Sequence, residues 1–211
     1  MSITILGNKV GMSQAFDSKG NAIPVTIIKT SPCYITQLKT KENCGYHAIQ
    51  IGYMDASITK QKVSRPMHGH FAKANLPAFC HVKEFKVSST LAYSIGQKFS
   101  LEDFKVGQLI EVRGVTIGKG NAGNIKRNAF SRGPMSHGSK HHRLQGSIGA
   151  GTSPGRVIPG KKMPGRMGGD NQTIKGLKVV YVNVDANIIA IKGSVPGKCQ
   201  NLLRIKCNLE Q

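Results

Sequence analysis

Short runs rich in β-branched residues recur along the chain, and they predict strands. Each run is bounded by Gly, Pro, Asn or Ser, which favour turns. The predicted strands are Ala22–Thr30, Tyr34–Thr40, His47–Met54, Val82–Val87, Leu109–Ile117, Leu177–Val184, Ile188–Lys192 and Leu202–Cys207. Strands at this regular spacing predict a small barrel or sandwich.

Helical patterns are few in this sequence. His68–Ala78 predicts a helix that Pro77 would end, and Asn124–Phe130 predicts a shorter one. Asp185-Ala186-Asn187 predicts the turn between two of the strands. We therefore expect a mainly β protein.

The strand pattern is lost near residue 118 and returns near residue 172. From residue 112 to residue 169 the chain has no Asp or Glu, but it has eleven Lys or Arg and fourteen Gly. This stretch supplies more than half of the formal net charge of +20. It has too little apolar surface to order itself, so we expect an extended arm that a partner orders. A segment without acids can lie among phosphates without local repulsion, which predicts a nucleic acid as the partner.

Two glycine motifs of the arm are similar to nucleotide-binding motifs. Gly118–Gly123 matches G-x-G-x-x-G, but a dinucleotide site needs an acid about 20 residues further on, where Arg143 stands. Gly155–Lys161 matches G-x-x-x-x-G-K, but a P-loop needs Ser or Thr next, and Lys162 occupies that place. A nucleotide-binding enzyme that uses Gly155–Lys161 is the alternative function.

Other chemistry finds little support in the sequence. His137, His141 and His142 have no carboxylate or cysteine at ligand spacing, so we expect no metal site. The arm has hydroxyl groups near histidines but no acid to orient an imidazole, so we expect no catalytic residues, no cofactor and no small-molecule substrate. The chain has no run of about 18 apolar residues, so we expect no membrane partner.

Ordered motifs along almost the whole chain resemble those of one known family. Gly7–Phe16 (GNKVGMSQAF) is similar to the G-x-K-x-G-M-T opening of that family. The further motifs are Ile23–Thr26, Gly69–Ala74, Gly118–Arg127, His137-Gly138, His142-Arg143, Gly146–Gly149, Pro154–Val157, Gly160–Met163 and Lys192–Gly197. Together they resemble the ribosomal protein L3 family of the large subunit, in its bacterial and organellar form.

The resemblance implies a fold and a function. It implies a six-stranded β-barrel of the translation-protein type, with a small α/β insertion at about residues 55–105. Residues 1–117 and 172–211 would form this body, and residues 118–171 would form the arm. The resemblance further implies a structural protein that binds large-subunit rRNA near its 3′ end, early in assembly. The arm would reach toward the peptidyl transferase centre, and neighbouring ribosomal proteins would contact the body.

The predicted rRNA-binding residues are the basic and histidine residues of the arm, two lysines of the body motifs and one asparagine at the arm tip. They are Lys9, Lys73, Lys119, Lys126, Arg127, Asn128, Arg132, His137, Lys140, His141, His142, Arg143, Arg156, Lys161, Lys162 and Arg166.

Two positions depart from many bacterial members of the family. Asn128 stands where those members carry Trp after Lys-Arg, which removes a stacking group, and Thr152 stands where some members carry a methylated Gln. The run Phe130–Gly138 resembles the cyanobacterial and plastid branch. The chain also has 20 Ile against 11 Leu, as in proteins from A/T-rich genomes, and we expect no transit peptide. We therefore expect a ribosome of the plastid stroma, with a bacterial cytoplasm as the alternative.

Overall fold

The computed structural model describes residues 2–56 and 62–208. Its helices are α1 (Lys41–Cys44), α2 (Arg65–Ala72) and α3 (Asn124–Asn128), and a 3-10 turn covers Leu101–Asp103. The strands are β1 (Ser2–Phe16), β2 (Ala22–Thr30), β3 (Cys33–Lys39), β4 (Ala48–Asp55), β5 (Phe79–Lys86), β6 (Lys98–Phe99), β7 (Leu109–Val115), β8 (Asn121–Ala122), β9 (Gly165–Arg166), β10 (Asn171–Asn183), β11 (Ile188–Lys192) and β12 (Leu202–Asn208). The prediction of a mainly β protein is confirmed.

The described residues form two compact units. The first contains the chain up to Val115 and from Gln172 onward, and the second is Thr116–Asn171. Six strands of the first unit close into a barrel in the order β1-β12-β7-β10-β11-β2. Strand β1 is long enough to pair with β12 through its first half and with β2 through its second half. The register between β1 and β2 shifts between Lys9 and Gly11, and such bulges bend a strand around a barrel.

Period-two alternation builds the barrel core. Along β7, Ile110, Val112 and Gly114 are buried, whereas the residues between them face outward. Along β12, Leu203 and Ile205 are completely buried in the same way. Apolar side chains that alternate with polar ones place one face of each strand inside the barrel and the other in water.

The second sheet of this unit has the order β5-β4-β3-β6. It packs through Ile35, Ile51 and Phe85, which belong to the same buried cluster as the barrel residues Ile5 and Ile28. The α/β insertion was predicted to begin at about residue 55, but this sheet begins at Cys33. Strands β3 and β4 alternate like barrel strands, and alternation does not tell which sheet a strand joins.

Several element bounds differ from the predicted ones. Strand β1 was not predicted, because Gly7, Gly11 and polar residues interrupt its apolar pattern. Helix α2 begins at Arg65, with Pro66 in its first turn, and ends at Ala72, before Pro77 is reached. Proline fits the first helical turn because no backbone N–H donor is needed there. The predicted turn at residues 185–187 is present, with Asn187 at φ 54°.

Gly52 of β4 gives a test of this second sheet. A Cβ atom at Gly52 would lie 2.7 and 2.9 Å from two ring carbons of Phe79, which is itself buried. We expect Gly52→Ala to lower the free energy of unfolding by about 1–3 kcal/mol, because a packed ring has to move. Urea denaturation measures the change. Gly11→Ala is the control, since no atom lies within 4 Å of a Cβ there. Equal stability of the two variants would contradict this packing.

Candidate nucleic-acid interface

The second unit, Thr116–Asn171, is an arm whose two chain segments pair at its base. The Thr116 N–H donates to the Asp170 carbonyl at 2.9 Å, and the Lys119 N–H donates to the Met167 carbonyl at 2.9 Å. Strands β8 and β9 continue the pairing, with Asn121 opposite Arg166. The arm was predicted to be ordered only by a partner, but its base carries its own backbone hydrogen bonds. Composition did not reveal them because backbone pairing needs little apolar surface.

Helix α3 fastens the returning segment of the arm. The buried Asn124 donates its side-chain N–H to the Lys162 carbonyl at 3.3 Å. Asn128 donates to the Asn124 Oδ1 at 2.8 Å and to the Met163 carbonyl at 3.2 Å. The Arg127 guanidinium also donates to the Met163 carbonyl, at 2.7 Å. We call Asn124, Arg127 and Asn128 the latch.

The loop beyond α3 closes through one histidine. The Gly133 N–H donates to the His142 carbonyl at 3.0 Å, and the His142 Nδ1 lies 2.8 Å from the Pro134 carbonyl. A carbonyl only accepts, so this contact requires the proton on Nδ1. Gly133 is required here, since a Cβ would collide with the His141 carbonyl. His142, predicted to contact rRNA, therefore has a structural partner within the arm.

Most predicted site residues of the arm face solvent. Their side chains make no hydrogen bond or ion pair with other residues of ranges 2–56 and 62–208. These residues are Lys119, Lys126, Arg132, His137, Lys140, His141, Arg143, Arg156, Lys161, Lys162 and Arg166. The unit as a whole has ten Lys or Arg and a single acid, Asp170. The arm thus presents a surface of cations whose hydrogen-bond donors are available to a ligand.

Two predicted site residues lie in the first unit. The Lys9 Nζ donates to the Val195 carbonyl at 3.1 Å and to the Gly197 carbonyl at 2.9 Å. This half-buried lysine therefore joins β1 to the loop before β12. Lys73 follows the last residue of α2 and is exposed.

In ranges 2–56 and 62–208, no three His, Cys, Asp or Glu residues are grouped as they would be to hold a metal ion. In the same ranges, no helix is both long and apolar enough to span a membrane.

Known proteins match this chain over nearly its whole length. The family model described as Ribosomal protein L3 matches residues 82–185. The large ribosomal subunit protein uL3 of Trichormus variabilis is 52% identical over 205 residues, which cover 97% of this chain and 96% of that protein. The chain belongs to the ribosomal protein L3 family. The resemblance stated from the sequence is therefore confirmed.

Other relatives place the chain near cyanobacterial members of the L3 family. The uL3 protein of Synechococcus elongatus is 53% identical over 97% of this chain and 95% of its own length. The uL3 protein of Prochlorococcus marinus is 51% identical over 99% of this chain and 95% of its own length. The L3 family consists of structural ribosomal proteins and not of enzymes, so the prediction that this chain is not an enzyme is confirmed.

Sequence reasoning missed the central latch residue, Asn124. It was read only as the start of a short helix, although it is 4% exposed and has partners on both sides. A usable signal was present, because Asn124 and Asn128 are four residues apart and therefore lie on one helix face. Sequence reasoning also assigned Arg127 and Asn128 to rRNA, and the structure gives both of them partners inside the arm.

The latch predicts how the base of the arm opens. Asn124→Ala removes both side-chain contacts of Asn124 and leaves the Lys162 carbonyl without its donor. We expect amide exchange at Lys119 and Met167 to become about tenfold faster, since a lost buried hydrogen bond costs about 1–2 kcal/mol. Hydrogen exchange measured residue by residue gives the rates.

Asn121→Ala is the control for this test, because Asn121 is exposed and its side chain donates to no described residue. Barrel amides should exchange at wild-type rates in both variants. Unchanged exchange at Lys119 and Met167 in Asn124→Ala would contradict the latch.

Proposed function

We propose that this structural protein of the large ribosomal subunit binds large-subunit rRNA directly through its arm. The observation that carries the proposal is the set of exposed arm cations without a protein partner in the described ranges. The arm has ten basic residues and one acid, so its own carboxylate leaves most of the positive charge unpaired. An external polyanion would neutralise that charge. An rRNA backbone supplies closely spaced phosphates for such donors.

The arm also has the form that threading between RNA segments requires. Glycines at positive φ occur along it, among them Gly138, Gly146 and Gly151, and most of its side chains are exposed. Glycine lets the backbone turn sharply and lets another polymer approach closely. The proposed interface consists of the exposed arm residues, whereas Lys9 and the latch hold the protein in shape.

The structure that follows Lys161 differs from that of a nucleotide-binding P-loop, which argues against the alternative function. A P-loop lysine is followed by a helix whose N-terminus binds phosphate. Here Lys161 N–H donates to the Ile158 carbonyl in a turn, and the next regular element is the short strand β9 at Gly165. The family, which is one of structural proteins, leads to the same conclusion.

The finer placement is part of the proposal. The arm reaches toward the peptidyl transferase centre, the protein binds early near the 3′ end of the rRNA, and the barrel is of the translation-protein type and meets neighbouring ribosomal proteins. The ribosome is that of a plastid stroma, with a bacterial cytoplasm as the alternative. The cyanobacterial relatives are compatible with both locations.

Salt dependence tests direct rRNA binding. If about five arm cations neutralise phosphates, a plot of log affinity against log salt should have a slope near −4. A variant in which residues 120–167 are replaced by a short Gly/Ser linker should lose most of that slope. It should keep cooperative unfolding, because the barrel has its own buried core. Filter binding over a salt series and thermal denaturation give both results. A wild-type slope close to zero would argue against phosphate contacts.

Charge reversal tests one segment of the interface. Lys161→Glu together with Lys162→Glu places two negative charges where we expect phosphates. Each lost contact should cost about 1–3 kcal/mol of binding, so incorporation into subunits should fail at low magnesium and partly recover as magnesium rises. Sucrose gradients measure incorporation.

The matched control is Lys19→Glu with Lys41→Glu, which changes net charge equally at two exposed lysines of the first unit. It should incorporate more efficiently than the arm variant. Calorimetry with ATP on the free protein checks the alternative function. Normal incorporation of the arm variant, with ATP binding present in the wild type and lost in the variant, would overturn the proposal for this segment.

A further inference from the structure

A group of cations lies on the outer face of the barrel, in the first unit. In the pairing of β7 with β12, Arg113 is directly opposite Arg204, and Glu111 is directly opposite Lys206. Strand β10 lies on the other side of β7 and contributes Thr173. These five side chains line a cleft of about 160 Å³.

Glu111, the carboxylate that lines this cleft, forms no ion pair with either arginine. The Glu111 Oε1 lies 3.8 Å from the Lys175 Nζ, and Glu111 is the cross-strand neighbour of Lys206. Neither Arg113 nor Arg204 forms an ion pair or donates a hydrogen bond to any residue in ranges 2–56 and 62–208. Like charges directly opposite on neighbouring strands repel each other and destabilise the sheet. The free protein therefore holds an unfavourable pair of cations at this position.

Arg204 is held in place by an aromatic ring. The centre of its guanidinium lies 4.2 Å from the centroid of the Phe85 ring, and Phe85 is buried. A stacked guanidinium is orientated by the ring while its N–H edge stays free to donate. Burial, and then the charge of Arg113, lower the pKa of Arg204, whereas Glu111 raises it. An arginine keeps its charge at neutral pH, so both main effects are costs that an anion would offset.

We propose that this cleft binds a phosphodiester group of large-subunit rRNA between Arg113 and Arg204, an inference that rests on the proposed rRNA-binding function. A tetrahedral phosphate can accept from two guanidinium groups that lie in different planes, whereas a carboxylate is matched in its own plane by a single guanidinium fork. The Lys206 ammonium and the Thr173 hydroxyl line the same cleft and add donors. The barrel thus holds rRNA through a second anchor, outside the arm.

The test compares two double variants of the full chain. Arg113→Gln with Arg204→Gln removes both guanidinium groups. Lys19→Gln with Lys41→Gln removes two charges at exposed lysines whose side chains have no partner in the described ranges. We expect the arginine variant to bind large-subunit rRNA about 10- to 100-fold more weakly, with a salt slope less steep by about one unit for one lost phosphate. The lysine variant should keep the wild-type slope.

A stability measurement separates binding from folding. Because the substitution removes a like-charged pair, the arginine variant without RNA should unfold at a denaturant concentration equal to or above that of the wild type. If it unfolds earlier, Arg113→Gln alone, which leaves the stack of Arg204 on Phe85 intact, should still weaken binding and reduce the slope. Ethylation of a phosphate that the protein contacts blocks binding. This interference should be lost at one rRNA position in Arg113→Gln.

Three outcomes would overturn the inference. If both double variants have the same affinity and slope while the wild-type slope is steep, the cleft binds no phosphate and the proposed function stands. If the wild-type slope is close to zero, the proposed function fails and the inference fails with it. If the arginine variant binds rRNA normally but is lost from subunits only when other ribosomal proteins are present, the ligand of the cleft is an acidic protein segment.

Discussion

The arm has to be held in shape without using acids, and this constraint determines how its base is built. Ten basic residues share the unit with one carboxylate, so ion pairs cannot fix them. The fastening groups instead donate to backbone carbonyls, as Asn124, Arg127 and Asn128 do at Lys162 and Met163. A carbonyl is neutral, so each such contact gives order and leaves the positive charge in place. Acidic partners would hold the arm equally well but would repel the phosphates that it is proposed to bind.

The barrel is stabilised in a different way from the arm. Its strands have apolar side chains on one face, and the burial of these side chains, together with the backbone hydrogen bonds between strands, stabilises the barrel. Its outer face is therefore open to carry charge, and the pairing of Arg113 with Arg204 is placed there. Lys9 also donates to backbone carbonyls, and its two hydrogen bonds join β1 to the loop before β12. Apolar burial is the main source of order in the first unit, donation to backbone carbonyls orders the base of the second, and both units present cations that no described acid pairs with.

The sequence predicts features that local patterns define, and it predicts less well the features that depend on which strands and side chains meet. The bounds of β2 and β11 match the predicted ones because local alternation and turn residues define them. Strand β1 escaped prediction because Gly7, Gly11 and polar residues interrupt its apolar pattern, and the sheet that starts at Cys33 escaped because alternation does not tell which sheet a strand joins. Motif order led to the family, and charge segregation led to the prediction of a nucleic-acid-binding arm. The contacts of Arg127 and Asn128 within the arm were not predictable, because composition gives the charge of a side chain but not its partner. Arg113 and Arg204 escaped for a related reason, since each looks like an ordinary outward residue of an alternating strand.

The distribution of order along the arm has a consequence for binding. Fixing a residue of backbone costs about 1–2 kcal/mol of conformational free energy, which a partner has to offset if the chain is not already ordered. At the base, β8, β9 and the latch already order the backbone in the protein without a ligand. Between Arg143 and Lys161 the hydrogen bonds are local ones, such as that from the Ser147 hydroxyl to the Gly149 carbonyl. If the arm binds rRNA as proposed, phosphate contacts at the base add directly to affinity, whereas contacts made by residues 143–161 are partly offset by the cost of ordering that segment.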